Sequence, residues 1–185
     1  MSYGFTFNNQ HSSAFHVVMR SSDRTVLPAK RRDGYTIPGH DGEYYPFGTA
    51  DYENRTISIQ ISFRGEVQSL QSLRSRIREI AKWLSVNDAP LIFDDEPDKA
   101  YTASIDAGLS LEQLQTWGQC ELIFNCQPFA QSVQFLTETK DITENNDGLT
   151  VHVNGTQDTP CMITIKNIGT TDIKVITIQR KAGKI

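Results

Sequence analysis

The sequence predicts a mainly β fold of the α+β class: a β-sandwich or barrel-like N-terminal domain with one amphipathic helix, followed by a β-rich C-terminal segment. Three observations carry this. "TISIQISFR" alternates without a fault, with Ile57, Ile59, Ile61 and Phe63 on one face and Thr56, Ser58, Gln60, Ser62 and Arg64 on the other. That is a strand with one face buried and one wet. After Gly65 the period changes, and Val67, Leu70, Leu73, Ile77, Ile80, Ala81 and Leu84 recur at three- and four-residue steps. They describe a helix of about five turns that stops before Asn87, Asp88 and Pro90, and a single helix among strands lies across a sheet. From residue 131 onward, short β-branched segments are separated by "ENNDG", "NGTQDTP" and "NIGTTD", which are strong turn signals.

The remaining elements follow in order. Phe5 and Phe7 alternate with polar residues, and "HSSAFHVVM" adds Phe15, Val17 and Val18, so two early hairpin strands are expected. Residues 20–50 are rich in Gly, Pro and charge. They read as a long irregular segment, and such loops are usually functional or mobile. "PLIF" and "AYTASID", with Tyr101, Ala103 and Ile105 alternating, form a hairpin around "DDEPDK". Asp favours a turn there by bonding its own backbone, and Pro by its preset φ. "AGLSLEQLQTWGQ" then leads into a strand with Cys120, Leu122, Phe124 and Cys126 on one face, closed by Pro128. The expected domains are 1–131 and 132–185. The second has about 50 residues where a sandwich needs about 100, so the chain is expected to end inside it.

A chain of 185 residues holds one good core, or one domain and part of a second. Its net charge of −4 gives no basic face for specific nucleic acid binding. The run Lys30, Arg31, Arg32 is read as a solvated turn, or as a polar contact with a partner. No stretch approaches the roughly 20 apolar residues of a membrane span, so no membrane insertion is expected. The start shows no secretory signal, which makes the sequons at Asn54 and Asn154 chance matches. Cys120 and Cys126 share a strand face but stand about 20 Å apart, beyond the roughly 7 Å that a disulfide allows. They read as small buried apolar residues, and Cys161 is left over.

Four carboxylates crowd one hairpin: Asp94, Asp95, Glu96 and Asp98. An EF-hand laid on Asp94 fails at its two demanding places, where Lys99 replaces the glycine and Ile105 the bidentate acid. Starting from Gly148 fails as well, at Thr143 and Asn154. Acids adjacent on one turn share one watery environment, whereas acid/base pairs need environments that separate their pKa values. Solvated carboxylates are therefore expected. Nucleophile-elbow, P-loop, dinucleotide and zincin patterns do not occur in the sequence. His11, His16, His40 and His152 are scattered. Trp83 and Trp117 read as packing residues, and Tyr35, Tyr44, Tyr45 and Tyr52 as the only material for a sugar platform. No catalytic, cofactor-binding or metal residues are predicted, and no cofactor.

The order of parts is more specific than any site. "YGFTFNNQHSSAF" is followed by a loop with Pro28 and Gly34, the alternating strand, a helix ending in "IAKWL", the "LIFDDEPDKAY" hairpin and a strand running into "FNCQPFA". This set resembles the N-terminal domain of the distal tail proteins of long-tailed, siphovirus-type phages or prophages of Gram-positive bacteria. It covers residues 1 to about 131, and its most specific pieces are "FDDEPDKAY" (93–101) and "CQPFA" (126–130). The resemblance implies a structural, non-enzymatic protein that assembles as a homohexameric ring through this domain. The ring would join the tail tube to the tail tip or baseplate around a channel for DNA. Implied partners are further copies of the chain, a tail tube protein, a tail-tip or tail-associated protein, and a receptor-binding protein. The implied location is the virion tail tip, after assembly in the host cytoplasm. Residues 132–185 would begin a galectin-like β-sandwich, with too few strands to close it. The alternatives are another tube or connector protein, or a carbohydrate-binding module for host recognition that uses the tyrosines. Exposed sheet edges suit subunit pairing, and residues 20–50 are expected to form an arm or hairpin that reaches a neighbour.

Overall fold

The computed structural model describes residues 4–31, 34–45, 51–63, 70–105, 119–143, 149–151, 155–157 and 161–178. In chain order the first strands are β1 (Phe5–Phe7), β2 (Gln10–His11), β3 (Val17–Arg24), β4 (Lys30–Arg31), β5 (Tyr35–Thr36), β6 (Glu43–Tyr44) and β7 (Asp51–Tyr52). Then come β8 (Arg55–Phe63), helix α1 (Leu70–Leu84), β9 (Ala89–Phe93), β10 (Glu96–Ile105), β11 (Gln119–Cys126) and β12 (Gln131–Ser132). Contacts divide the chain into Met1–Leu136 and Thr137–Ile185.

The first unit is built on one antiparallel sheet in the order β2-β1-β9-β10-β11-β8-β3, with β12 on the start of β10. Its local chemistry is readable. Asn8 and Asn9 both have positive φ, 48° and 60°, the two-residue hairpin turn that asparagine tolerates. β8 buries Ile57, Ile59 and Ile61 and pairs with β11, which buries Cys120, Leu122, Phe124 and Cys126. The sheet is strongly curled. The Phe124 ring on β11 lies 6.1 Å from Phe5 and 5.3 Å from Phe7 on β1. In a flat sheet those strands, three places apart, would be about 14 Å apart. One core therefore fills the inside of a sandwich- or barrel-like β domain.

Helix α1 lies against this core through Leu73, Ile77, Ile80, Trp83 and Leu84. Trp83 stacks on Phe15 at 4.3 Å and on Phe5 at 5.7 Å, and its Nε1 donates to the Phe7 carbonyl at 2.8 Å. The indole thus packs as expected and satisfies its only donor. Ala81, expected on the apolar stripe, is exposed, and Val67 lies outside the described residues.

Three expectations need correction. Residues 20–50 are not one irregular segment: β3 continues to Arg24, and short strands pair beyond it. The hairpin turn is only Asp94 and Asp95, because Glu96 already pairs with Phe93. Pro97 is accommodated where the register shifts between Glu96 and Tyr101, the kind of irregularity that tolerates proline. Ser62, expected on the wet face, is buried and accepts a 2.8 Å bond from Arg20 Nε at the bulge of β3. In the second unit no described residue forms a strand, and all are exposed, Ile163, Ile165 and Ile173 included. A β-branched segment becomes a strand only when another backbone pairs with it. The segment 106–118, with Trp117, lies outside the described residues, as do His152 and Asn154.

Two outcomes follow from this packing. Phe124→Ala removes the ring that bridges β11 and β1, and a loss of about 3–5 kcal/mol is expected in urea unfolding; a loss under about 1 kcal/mol would mean the curl does not depend on it. Burial pushes the Cys126 thiol up to about 12, and Cys120 is also buried while Cys161 is exposed. A thiol reagent at pH 8 should therefore find one fast thiol in the native chain and all three after denaturation. A second fast thiol would show the inner face of β11 open.

Candidate functional site

Between Arg24 and Arg55 the described residues form two nested two-stranded pairings outside the main sheet, together a ribbon-like arm. Near the body β4 pairs with β7, Lys30 opposite Tyr52 and Arg31 opposite Asp51. Further out β5 pairs with β6, Tyr35 opposite Tyr44 and Thr36 opposite Glu43. The tip begins with a turn at Ile37, Pro38, Gly39 and His40, whose N–H returns to the Ile37 carbonyl at 3.1 Å. Pro sets the first central φ and Gly39, at φ 84°, takes the second, the type II pattern. Residues 34–45 are all exposed, with Tyr35 at 56% and Tyr44 at 58%. A two-stranded ribbon with aromatic rings in water is marginal alone.

The base of this arm is fixed. The Glu53 N–H donates to the Ala29 carbonyl at 2.8 Å, and Tyr52 meets Phe129 edge-on at 4.9 Å. Lys30 Nζ stands 5.9 Å from the Tyr52 ring. Arg55 is only 9% exposed, donates to the carbonyls of Thr25 and Pro128, and lies 5.4 Å from the Tyr101 ring. One buried guanidinium thus ties together the start of the arm, the "CQPFA" segment after β11, and β10.

The acidic hairpin serves the body, and each carboxylate has its own partner. Asp94 accepts from the Gly4 N–H at 2.8 Å and faces His11 Nε2 at 3.1 Å. A Cβ on Gly4 would come within 2.6 Å of that ring, so a larger residue there would have to displace the imidazole from Asp94. Asp95 pairs with Arg24, whose guanidinium also lies 4.5 Å over the Phe93 ring. Glu96 accepts from the Tyr101 hydroxyl at 3.1 Å, and Asp98 pairs with Lys99 at 2.7 Å. All four carboxylates keep contact with solvent, and distant chain segments supply donors to Asp94 and Asp95. Among the described residues no three His, Cys, Asp or Glu side chains converge as metal ligands.

The other candidates stay apart. Tyr35 and Tyr44 face each other on the arm, Tyr45 donates to Glu43 at 2.7 Å, and Tyr52 sits at the base, so the four tyrosines do not share one platform. His16 ends a short 3-10 turn at φ 56°, and His40 lies in the arm. Arg31 reaches Asp51 at 3.4 Å, and Arg32 lies outside the described residues. The sequence reading missed Arg24 and Arg55, for which nothing local gives a signal. It also missed an open polar cleft of about 300 Å³ lined by Asn54, Asp88, Thr102, Ser104, Asn125 and Gln127. Its only trace in the sequence is the polar half of the alternation in β10 and β11.

Hydrogen bonding from Arg24 holds the Asp95 carboxyl below its ordinary value of 3.8, and Asp95 raises Arg24 in turn. A depressed carboxyl stabilises the fold above its unfolded pKa and loses that contribution as pH falls through its folded value. Arg24→Gln should therefore lower the urea midpoint at pH 7, with the gap to wild type closing toward about pH 2. Equal midpoints at neutral pH would show that the pair contributes nothing.

Residues 16–126, more than half of the chain and including the arm and both arginines, match the family described as phage tail protein RIFT-related domain. Among solved structures, the crystal structure of SPP1 Dit (gp 19.1), described as a paradigm of the hub adsorption apparatus in phages infecting Gram-positive bacteria, is similar with a TM-score of 0.56 at 19% identity. The match covers 69% of this chain and 50% of that one. This chain therefore spans about half the length of that relative, and the likeness is one of fold. No curated protein matches the sequence. A curled β domain with one helix across it is what the matched span builds, and the chain belongs to the phage tail proteins with a RIFT-related domain, as a structural component of a tail.

Proposed function

We propose that the chain is a distal tail protein: a hexameric ring hub that joins the tail tube to the tail tip or baseplate around a channel through which DNA passes. The observation that carries this reading is the arm, anchored at its base by Arg55 and Tyr52 and exposed along its outer half. Aromatic surface of this kind is enriched at protein interfaces. An arm that meets a different surface of the next copy makes a head-to-tail contact, and such contacts close into cyclic rings. Fold likeness to a protein described as part of a hub apparatus supports the same reading.

The partners in this reading are further copies of the chain, a tail tube protein, a tail-tip protein and a receptor-binding protein. Assembly takes place in the host cytoplasm and the finished location is the virion tail tip. The domain of residues 1–131 forms the ring, and 132–185 belongs to a second, galectin-like domain. The protein catalyses no reaction and takes no cofactor.

Light scattering across a concentration series tests the ring. A species of six 20.8 kDa chains, about 125 kDa, is expected, and deletion of residues 34–45 should leave monomers. A monomer at every concentration would remove the ring, and a ring that survives the deletion would remove the arm from its interface.

A further inference from the structure

The outer side of α1 is a ridge of positive charge. Each helix position turns by about 100°, so with Leu73, Ile77 and Ile80 buried, Arg78 and Lys82 fall on the opposite side and Arg74 on its flank, with the exposed Glu79 on the other flank beside Lys82. The three cations stand at four-residue steps over about 12 Å, and all three are exposed. Among the described residues, none of their side chains takes part in an ion pair or hydrogen bond. Like charges at four-residue spacing repel and weaken a helix. The ridge sits, moreover, in a chain with net charge −4. An anionic partner turns this repulsion into attraction.

The same chain presents a surface of matching chemistry. Residues 34–45 of the arm contain Asp41 and Glu43 and no Lys or Arg. Tyr44, directly opposite Tyr35 in the ribbon, offers an exposed ring beside them. Guanidinium groups bind carboxylates by paired hydrogen bonds and stack on tyrosine faces, so Arg74 and Arg78 are suited to both features at once. We infer that the arm tip of one copy docks, through Asp41, Glu43 and Tyr44, on the Arg74, Arg78 and Lys82 ridge of the next copy. This rests on the ring reading and names its contact. Arm and helix are different surfaces, so the contact is head-to-tail. A nucleic acid phosphate backbone is the rival occupant, but one helix face with three cations is narrow for it in an acidic chain.

Charge exchange in the full-length chain tests the contact, read by sedimentation equilibrium at low and high salt. Arg74→Glu with Arg78→Glu, or Asp41→Lys with Glu43→Lys, should each weaken self-association about two- to thirtyfold, as the loss of two exposed ion pairs predicts. The four changes together should restore most of it, and salt should weaken only the wild type and the fourfold variant. Misfolding cannot produce such a rescue. If both double variants associate as the wild type does while the deletion of 34–45 still dissociates the ring, the ring stands and this contact is wrong. If the wild type never associates, both readings fall. Retention of duplex DNA by the wild type, lost in Arg74→Glu with Arg78→Glu while self-association is unchanged, would assign the ridge to nucleic acid and overturn the inference.

Discussion

Phe5 and Phe7 enter the core from one side of the sheet and Phe124 from three strands away, and their rings meet. That meeting is the constraint on which the rest depends. A sheet that stayed open would leave these faces in water, and each buried aromatic side chain contributes a large apolar area. Curling brings them together and leaves a trough that α1 covers. Trp83 fits this position because its ring stacks on Phe5 and Phe15 while its N–H reaches the Phe7 carbonyl. Helix, β1 and β11 are thereby locked in one arrangement.

Two arginines hold the curled sheet at its seams. Arg24, on edge strand β3, reaches Phe93 and Asp95 at the β9–β10 hairpin, four places away in sheet order. Arg55 is more deeply buried, and a buried charge is costly unless it is well paired. Here two carbonyls and the Tyr101 ring compensate it, while its Nε has no hydrogen-bond partner. Those carbonyls belong to Thr25, where the arm leaves, and Pro128, where the chain turns after β11, so the charge fixes both positions.

This division suits a tail component. A curled β body carries a ribbon that is held at one end and exposed at the other. The ribbon offers tyrosines and carboxylates, and α1 offers exposed cations. The carboxylates that first suggest a reaction centre are occupied by Gly4, His11, Arg24, Tyr101 and Lys99. Asp94 and Asp95 join distant segments of the fold.

The sequence by itself determined the elements whose signal is local. The alternation of Ile57, Ile59 and Ile61, that of Cys120, Leu122 and Phe124, and the helical recurrence of Leu73, Ile77 and Ile80 are properties of single segments, because burial on one side imposes a period. The order of those segments also carried the family resemblance. Only the tertiary structure decided which carboxylate meets which cation. Asp95 and Arg24 are 71 positions apart, and Asp94 and Gly4 are 90. It also decided which residues of the arm pair, Lys30–Arg31 with Asp51–Tyr52 and Tyr35–Thr36 with Glu43–Tyr44, since strands of two residues exist only through their cross-strand partners. For the same reason, β-branched segments after residue 137 stay unpaired among the described residues. A period is written along one segment of chain, whereas a register and an ion pair exist only between segments that folding brings together.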